Sequence, residues 1–319
     1  MRCFGGKRKR QMNSTGNDMT ERTNKTVGTN GAAGSFVPAA KVLAAGFGWG
    51  IIGVFSRPLS AAGLSAVQTT LVRCVIVTVG MAFYLLLTDR SQFRIRWKDL
   101  WIFLGMGLLS VVFFNICYFL TIQKATLAVA SILLYTAPCF VLMMSAVFFH
   151  EKITLQKLMA LGIAFGGCVL VSGFTGGTME PTAILTGIGS GLGYALYSIF
   201  GSVALKQYRP FTVIFYTFLI ATAGILPMAD PVGTCQVLTG SVSSMSYGLA
   251  LGVISTFLPF VFYTDGLKEM EAGKASVLAF AEPMVATLAG IVIYHEALQI
   301  QNVLGIGMIL AAIVLLGRK

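Results

Sequence analysis

Two ionisable side chains stand inside long apolar stretches, Arg73 in AVQTTLVRCVIVTVG and Glu282 in SVLAFAEPMVATLAG. A charge held at the middle of an apolar layer costs about 3 kcal/mol, so each is by default a functional candidate. A carboxylate in such a place could carry a proton or balance the charge of an amine. The planar arginine fork could hold a substrate carboxylate in two parallel hydrogen bonds, or neutralise Glu282 when no ligand is present. Together they point to a zwitterionic or carboxylate-bearing ligand. The competing readings are a structural ion pair for Glu282 and, for Arg73, a side chain reaching along the helix towards an interface.

Around these two, the polar and aromatic candidates for lining a binding cavity are Trp49, Asn115, Tyr118, Tyr135, Tyr194, Tyr197, Ser198 and Tyr263. The i, i+3, i+4 spacing of Tyr194, Tyr197 and Ser198 puts them on one helix face. Pro138 and Pro283 lie within apolar runs, where each removes a backbone hydrogen bond. They are expected to free carbonyls or supply hinges, with a tolerated packing kink as the plainer alternative.

Other patterns exclude chemistry. The pairs His150-Glu151 and His295-Glu296 lack the HExxH spacing that would bring two histidines together on zinc, and read as helix-end residues. GLKEMEAGKAS at 266–276 fails the phosphate-loop pattern GxxxxGK[ST]. The six cysteines show no CxxC spacing. No metal and no cofactor are therefore expected, and with both histidines at helix ends an intramembrane enzyme is disfavoured.

The elements that must position these residues follow from composition. The 319 residues are 56% hydrophobic and only 11% charged, with a mean hydropathy of +0.80. A soluble domain, at roughly a quarter charged, does not look like this. Ten apolar segments, near 38–56, 66–88, 100–121, 126–148, 155–174, 184–204, 211–228, 245–265, 273–294 and 299–317, approach the ~20 residues a bilayer-spanning helix needs. Glu282, about ten residues into its segment, would lie roughly 15 Å deep.

The net charge of +11 reflects basic residues at the ends of these runs and does not imply nucleic acid. With the N-terminus inside, the basic tail, Arg90, Arg94, Arg96, Lys98, Lys152, Lys157, Lys206, Arg209, Lys268, Lys274, Arg318 and Lys319 fall on the inner side. Only Arg57 and Lys124 fall outside, which predicts both termini in the cytoplasm. Residues 1–36, including Lys7-Arg8-Lys9-Arg10, read as a disordered cytoplasmic basic tail.

The chain is also written twice. SILLYTAPCFVLMMSAVFFHEKITLQ at 131–156 aligns without a gap on SVLAFAEPMVATLAGIVIYHEALQIQ at 276–301, a shift of 145 residues. The same register places Gly191 and Gly193 on Gly46 and Gly48, and extends over 41–174 and 186–319. It sets Ala137 opposite Glu282 and Phe218 opposite Arg73, so neither charge is repeated. Five helices per copy is an odd number, so the second copy must enter the membrane from the opposite side. The predicted fold is an all-α polytopic membrane protein of ten transmembrane helices in two inverted-topology repeats, 37–174 and 184–319, with a ligand site near the midplane between them.

The five-plus-five repeat, the pairs Trp49-Gly50 and Tyr194-Ala195 in the first helix of each half, and the two Pro…His-Glu units resemble the drug/metabolite transporter superfamily. More narrowly, the chain resembles a protein with two EamA domains. That resemblance implies a secondary transporter of small metabolites such as amino acids, amines, carboxylates or sugars, often an exporter, with a central cavity lined by both halves. The expected setting is the inner or plasma membrane, and the expected partners are a small solute and the lipid bilayer, with homodimer formation left open. A passive facilitator on the same fold is the alternative.

Overall fold

The computed structural model describes residues 36–173 and 180–317. The basic tail therefore lies outside the described residues, except for Phe36, which opens the first helix. Membrane-length helices run Phe36–Ala61 (α1), Ala66–Thr88 (α2), Trp97–Lys124 (α3) and Leu127–Phe149 (α4) in the first half. The second half has Pro181–Ala204 (α6), Pro210–Met228 (α7), Val242–Glu269 (α8), Ala272–Tyr294 (α9) and Ile300–Gly317 (α10). The fifth segment, Leu155–Val171 (α5), is shorter at 17 residues. It stops where Gly173 turns to φ +66°, a conformation glycine adopts without strain.

Local signals explain the helix starts. Ser65 and Gln68 form a reciprocal capping box on α2, while the Thr126 and Thr154 side chains cap α4 and α5. Pro181 and Pro210 occupy first helical positions, where a missing N–H costs nothing. A further short helix, Pro231–Thr239, links α7 to α8. Hydropathy gave no sign of it, because it is too short to span a bilayer.

We call the side where α1 begins the entry face and the other the far face. α2 packs on α7 and α5 on α10, each helix against its repeat counterpart, while α3 and α4 pack on α6 across the halves. Phe83, Leu87, Leu185, Val292 and Leu304 point outwards, more than half exposed. A belt of this kind suits hydrocarbon rather than water.

Irregularities recur at matching places. α3 widens into a π-helix over Gly105–Phe113 and α8 over Val253–Phe257. α4 is interrupted after Leu134 and resumes at Ala137, and α9 is interrupted after Leu278 and resumes at Ala281. The sequence reading put Pro138 and Pro283 in helix interiors, but each stands in the first turn after an interruption. The missing proline N–H falls where a helix start leaves it unneeded. α1 is interrupted at Ile51, whereas its counterpart α6 is continuous.

Candidate functional site

The interruptions of α4 and α9 are met by the glycine-rich first helix of the opposite half. A Cβ on Gly46 of α1 would stand 3.0 Å from Ala281 Cβ, and one on Gly191 of α6 only 2.9 Å from the Leu133 carbonyl oxygen. At Gly50 an added Cβ would lie 2.7 Å from the Glu282 carbonyl oxygen. Glycine there lets α1 press its backbone against α9 at the acidic residue. The glycines thus cross-brace the halves at their two weakest helical points.

Beside these crossings lies a cavity of about 580 Å³. Its lining runs from Trp49, Phe260, Tyr263 and Tyr197 at mid-depth to Arg57, Ala66, Leu127 and Tyr294 at the far-face ends of α1, α2, α4 and α9. All ten residues singled out as candidates for ligand contact line it: Trp49, Arg73, Asn115, Tyr118, Tyr135, Tyr194, Tyr197, Ser198, Tyr263 and Glu282. Pro138 and Pro283 do not; they lie behind the wall, buried.

The Glu282 carboxylate accepts a hydrogen bond from the Tyr194 hydroxyl at 3.2 Å. Arg73 donates its Nε to Thr256 Oγ1 at 3.0 Å. The sequence reading allowed Arg73 to neutralise Glu282 when no ligand is present; the two charges act on each other across the cavity without a direct contact. The Arg73 Nε is committed to the π-helix of α8, and no ion pair joins the two charges among the described residues. Anchoring through Nε leaves the guanidinium's outer N–H groups for the cavity. The two Nη groups can still grip a carboxylate end-on, through two parallel N–H donors.

Aromatic rings form the floor. Trp49 meets Phe260 at 5.2 Å and Tyr263 at 5.3 Å, and Tyr194 meets Phe114 at 5.6 Å. Their hydroxyls are mostly spoken for: Ser198 pairs with Tyr263 and Tyr197 with Thr264, both at 2.7 Å. Asn115 donates to the Val111 carbonyl at 2.7 Å and accepts from Thr70 at 3.2 Å. These side chains therefore shape the cavity and fix one another, whereas Arg73 and Glu282 retain capacity for a ligand.

Below the floor the entry face is closed. Lys41 of α1 bridges Asp265 at 2.7 Å and Glu269 at 3.1 Å on α8. Lys157 bridges Glu271 at 2.8 Å, and Glu151 accepts the backbone N–H groups of Ala272 and Gly273 at 3.0 and 3.3 Å. Although burial opposes it, the bond from Lys157 holds the Glu271 carboxyl below the usual carboxylate range. At the open mouth, Arg57 pairs with Glu296 at 2.8 Å and lies 4.3 Å over the Tyr294 ring.

Both His-Glu pairs sit at helix ends, with His150 and His295 in the left-handed region at φ 56° and 55°. The work of their glutamates escaped sequence reasoning, as did Arg57. The recurrence of His-Glu at one register was the available signal.

Comparisons with known proteins agree with this architecture. A protein named "Uncharacterized transporter" from Archaeoglobus fulgidus is 30% identical over 83% of this chain and 90% of its own length. The "Uncharacterized inner membrane transporter YicL" of Salmonella typhimurium is 25% identical over 86% of this chain and 93% of its own. A solved crystal structure superposes with a TM-score of 0.73 over 87% of this chain and 95% of that one, at 18% identity, which speaks for the fold alone. The sequence model of the EamA-like transporter family matches twice, at 38–173 and at 181–318. Matched in both halves, and built as a multi-pass helical membrane protein, the chain belongs to the EamA-like transporter family.

Proposed function

We propose that the protein is a secondary active transporter, working as an exporter by alternating access. Its cargo is a small metabolite carrying a carboxylate, an amine or both. The observation that carries this reading is a cavity of about 580 Å³ whose inner wall presents the cation Arg73 and the carboxylate Glu282, each from a different half, with a second arginine, Arg57, at its mouth. Arg73 grips the carboxylate of the cargo with the N–H groups left free by its bond to Thr256. Glu282 balances an ammonium, or takes a proton when the cargo leaves, so that proton entry and cargo release use one group. The ring floor excludes water beneath the ligand and offers faces to its apolar part.

The distribution of Lys and Arg supports placing the entry face, with both termini, in the cytoplasm of an inner or plasma membrane. The cavity then faces outwards, and the Lys41, Glu151 and Lys157 contacts form the cytoplasmic seal.

The test is transport in proteoliposomes filled with a mixed pool of amino acids, amines and carboxylates, under an imposed pH gradient, with mass spectrometry of what crosses. One compound should accumulate against its own gradient only while the pH gradient lasts. Simple equilibration irrespective of pH would instead identify a passive facilitator.

A further inference from the structure

The two His-Glu turns occupy equivalent positions, yet their glutamates have different partners. On the entry face Glu151 holds the start of α9 through Ala272 and Gly273. The fit is close, since a Cβ on Gly273 would come within 2.7 Å of Leu142 of α4. On the far face the repeat places Glu296 against the start of α4, where Leu127 and Ala128 correspond to Ala272 and Gly273. Here the mouth is open and that contact is unmade. The Leu127 and Ala128 N–H groups have no acceptor among the described residues.

Glu296 is engaged by Arg57, 2.8 Å away. Arg57 is steadied by the Tyr294 ring, and the Tyr294 hydroxyl bonds the Gly53 and Val54 carbonyls of α1 at 3.2 and 3.3 Å. The repeat counterpart of Arg57 is Ser202, so no matching cation competes for Glu151.

We propose that Glu296 is a gate residue that changes partners. Arg57 holds it while the far-face mouth is open, and it passes to the Leu127 and Ala128 N–H groups when that mouth closes. The closed contact then repeats on the far face what Glu151 makes on the entry face. The helix dipole favours a carboxylate at the start of α4, and the left-handed turn at His295 already presents Glu296 as His150 presents Glu151. Arg57 is thus a competitor that keeps the mouth open, rather than a strut that simply holds the two helices together. This inference rests on the alternating-access reading above.

The test uses the full-length protein in proteoliposomes with Thr69→Cys, a half-buried residue of the cavity wall near the far face. Labelling by an impermeant maleimide is read with the mixed pool of amino acids, amines and carboxylates present, relative to the same chain with Thr69. Arg57→Gln frees Glu296 to close the mouth and should slow labelling roughly tenfold, the worth of a charge-assisted hydrogen bond. Glu296→Gln should speed it.

Leu127→Pro deletes one of the receiving N–H groups without touching the Arg57–Glu296 pair, at a first helical turn that accepts proline. It should behave like Glu296→Gln, and it reads the gate even if the Glu296 variant folds poorly. Shifts of Arg57→Gln and Glu296→Gln in the same direction, or an unmoved Leu127→Pro, would overturn the partner exchange. Accumulation by the otherwise unsubstituted protein, measured in parallel, reports separately on whether it is a transporter.

Discussion

The two halves share one scaffold and divide the chemistry. Where the first half has Arg73, the second has Phe218, buried and packed on Phe260 at 4.7 Å. Where the second half has Glu282, the first has Ala137, also buried. Meanwhile the helix interruptions, the π-turns, the crossing glycines and the left-handed histidines recur in both. What recurs bends and packs the helices and places one tyrosine of each half, Tyr118 and Tyr263, on the cavity wall. The two charges occur once each, and both face the cavity. Duplication supplies symmetry of shape, and a single charge at each of two unpaired positions breaks that symmetry.

The largest effect expected from breaking this division is at Glu282. Glu282→Gln keeps the shape and the Tyr194 contact but removes the charge. Uptake against a concentration gradient driven by pH should fall by about 100-fold or more, within the range general acid–base groups supply, while cargo exchange persists. A Glu282→Gln protein that still concentrates cargo would remove the proton-coupling role.

Next is Arg73→Gln. It should weaken cargo carrying a carboxylate by about 10- to 100-fold, the worth of one or two charge-assisted hydrogen bonds, and leave simple amines almost untouched. Competition binding with matched pairs of acid and amide compounds measures this.

Ala137→Glu, which restores symmetry at the wrong place, should gain no transport. It should cost about 3 kcal/mol, the penalty for an unpartnered acid in the membrane interior, read as a lower unfolding midpoint.

The smallest effect concerns the seal. The Glu271 carboxyl has its pKa lowered in the folded protein, so the stabilisation from its bridge to Lys157 is present above the ordinary carboxylate range. It is lost as pH falls through the depressed value, so acid on the entry face should loosen that face, and neutral or alkaline pH should not. Labelling of Met270→Cys, a half-buried position next to Glu271, from that side between neutral pH and about pH 4, expressed relative to the labelling of free cysteine at the same pH, measures it.

Much of this was legible in the sequence. Span positions come from hydropathy alone, because a bilayer leaves a helix no other composition. Every large residue expected to bind reached the cavity because a polar or charged side chain of that size in an apolar run needs a polar surrounding, whereas small ones such as Ser145, Ser190 and Thr217 bond a carbonyl of their own helix instead. What hydropathy does not encode is where a helix pauses. The breaks before Ala137 and Ala281 depend on α6 and α1 pressing in from the other half, a tertiary effect. Nor could it reveal that Arg73 bonds Thr256 in preference to Glu282, since both partners lie far from it along the chain. Glu151 and Glu296 looked like loop residues, and they are. Their importance arises from the helix starts that do or do not come to meet them.

The crossing of α5 and α10 has a practical use. A Cβ on Gly167 would fall 2.7 Å from the Gly305 carbonyl oxygen, and one on Gly305 equally close to that of Gly167, so the two backbones touch without side chains between them. Neither helix contributes to the cavity wall. Probes placed along this pair should keep a constant separation while those across the mouth do not. The pair thus supplies the fixed zero from which every other displacement in the molecule can be surveyed.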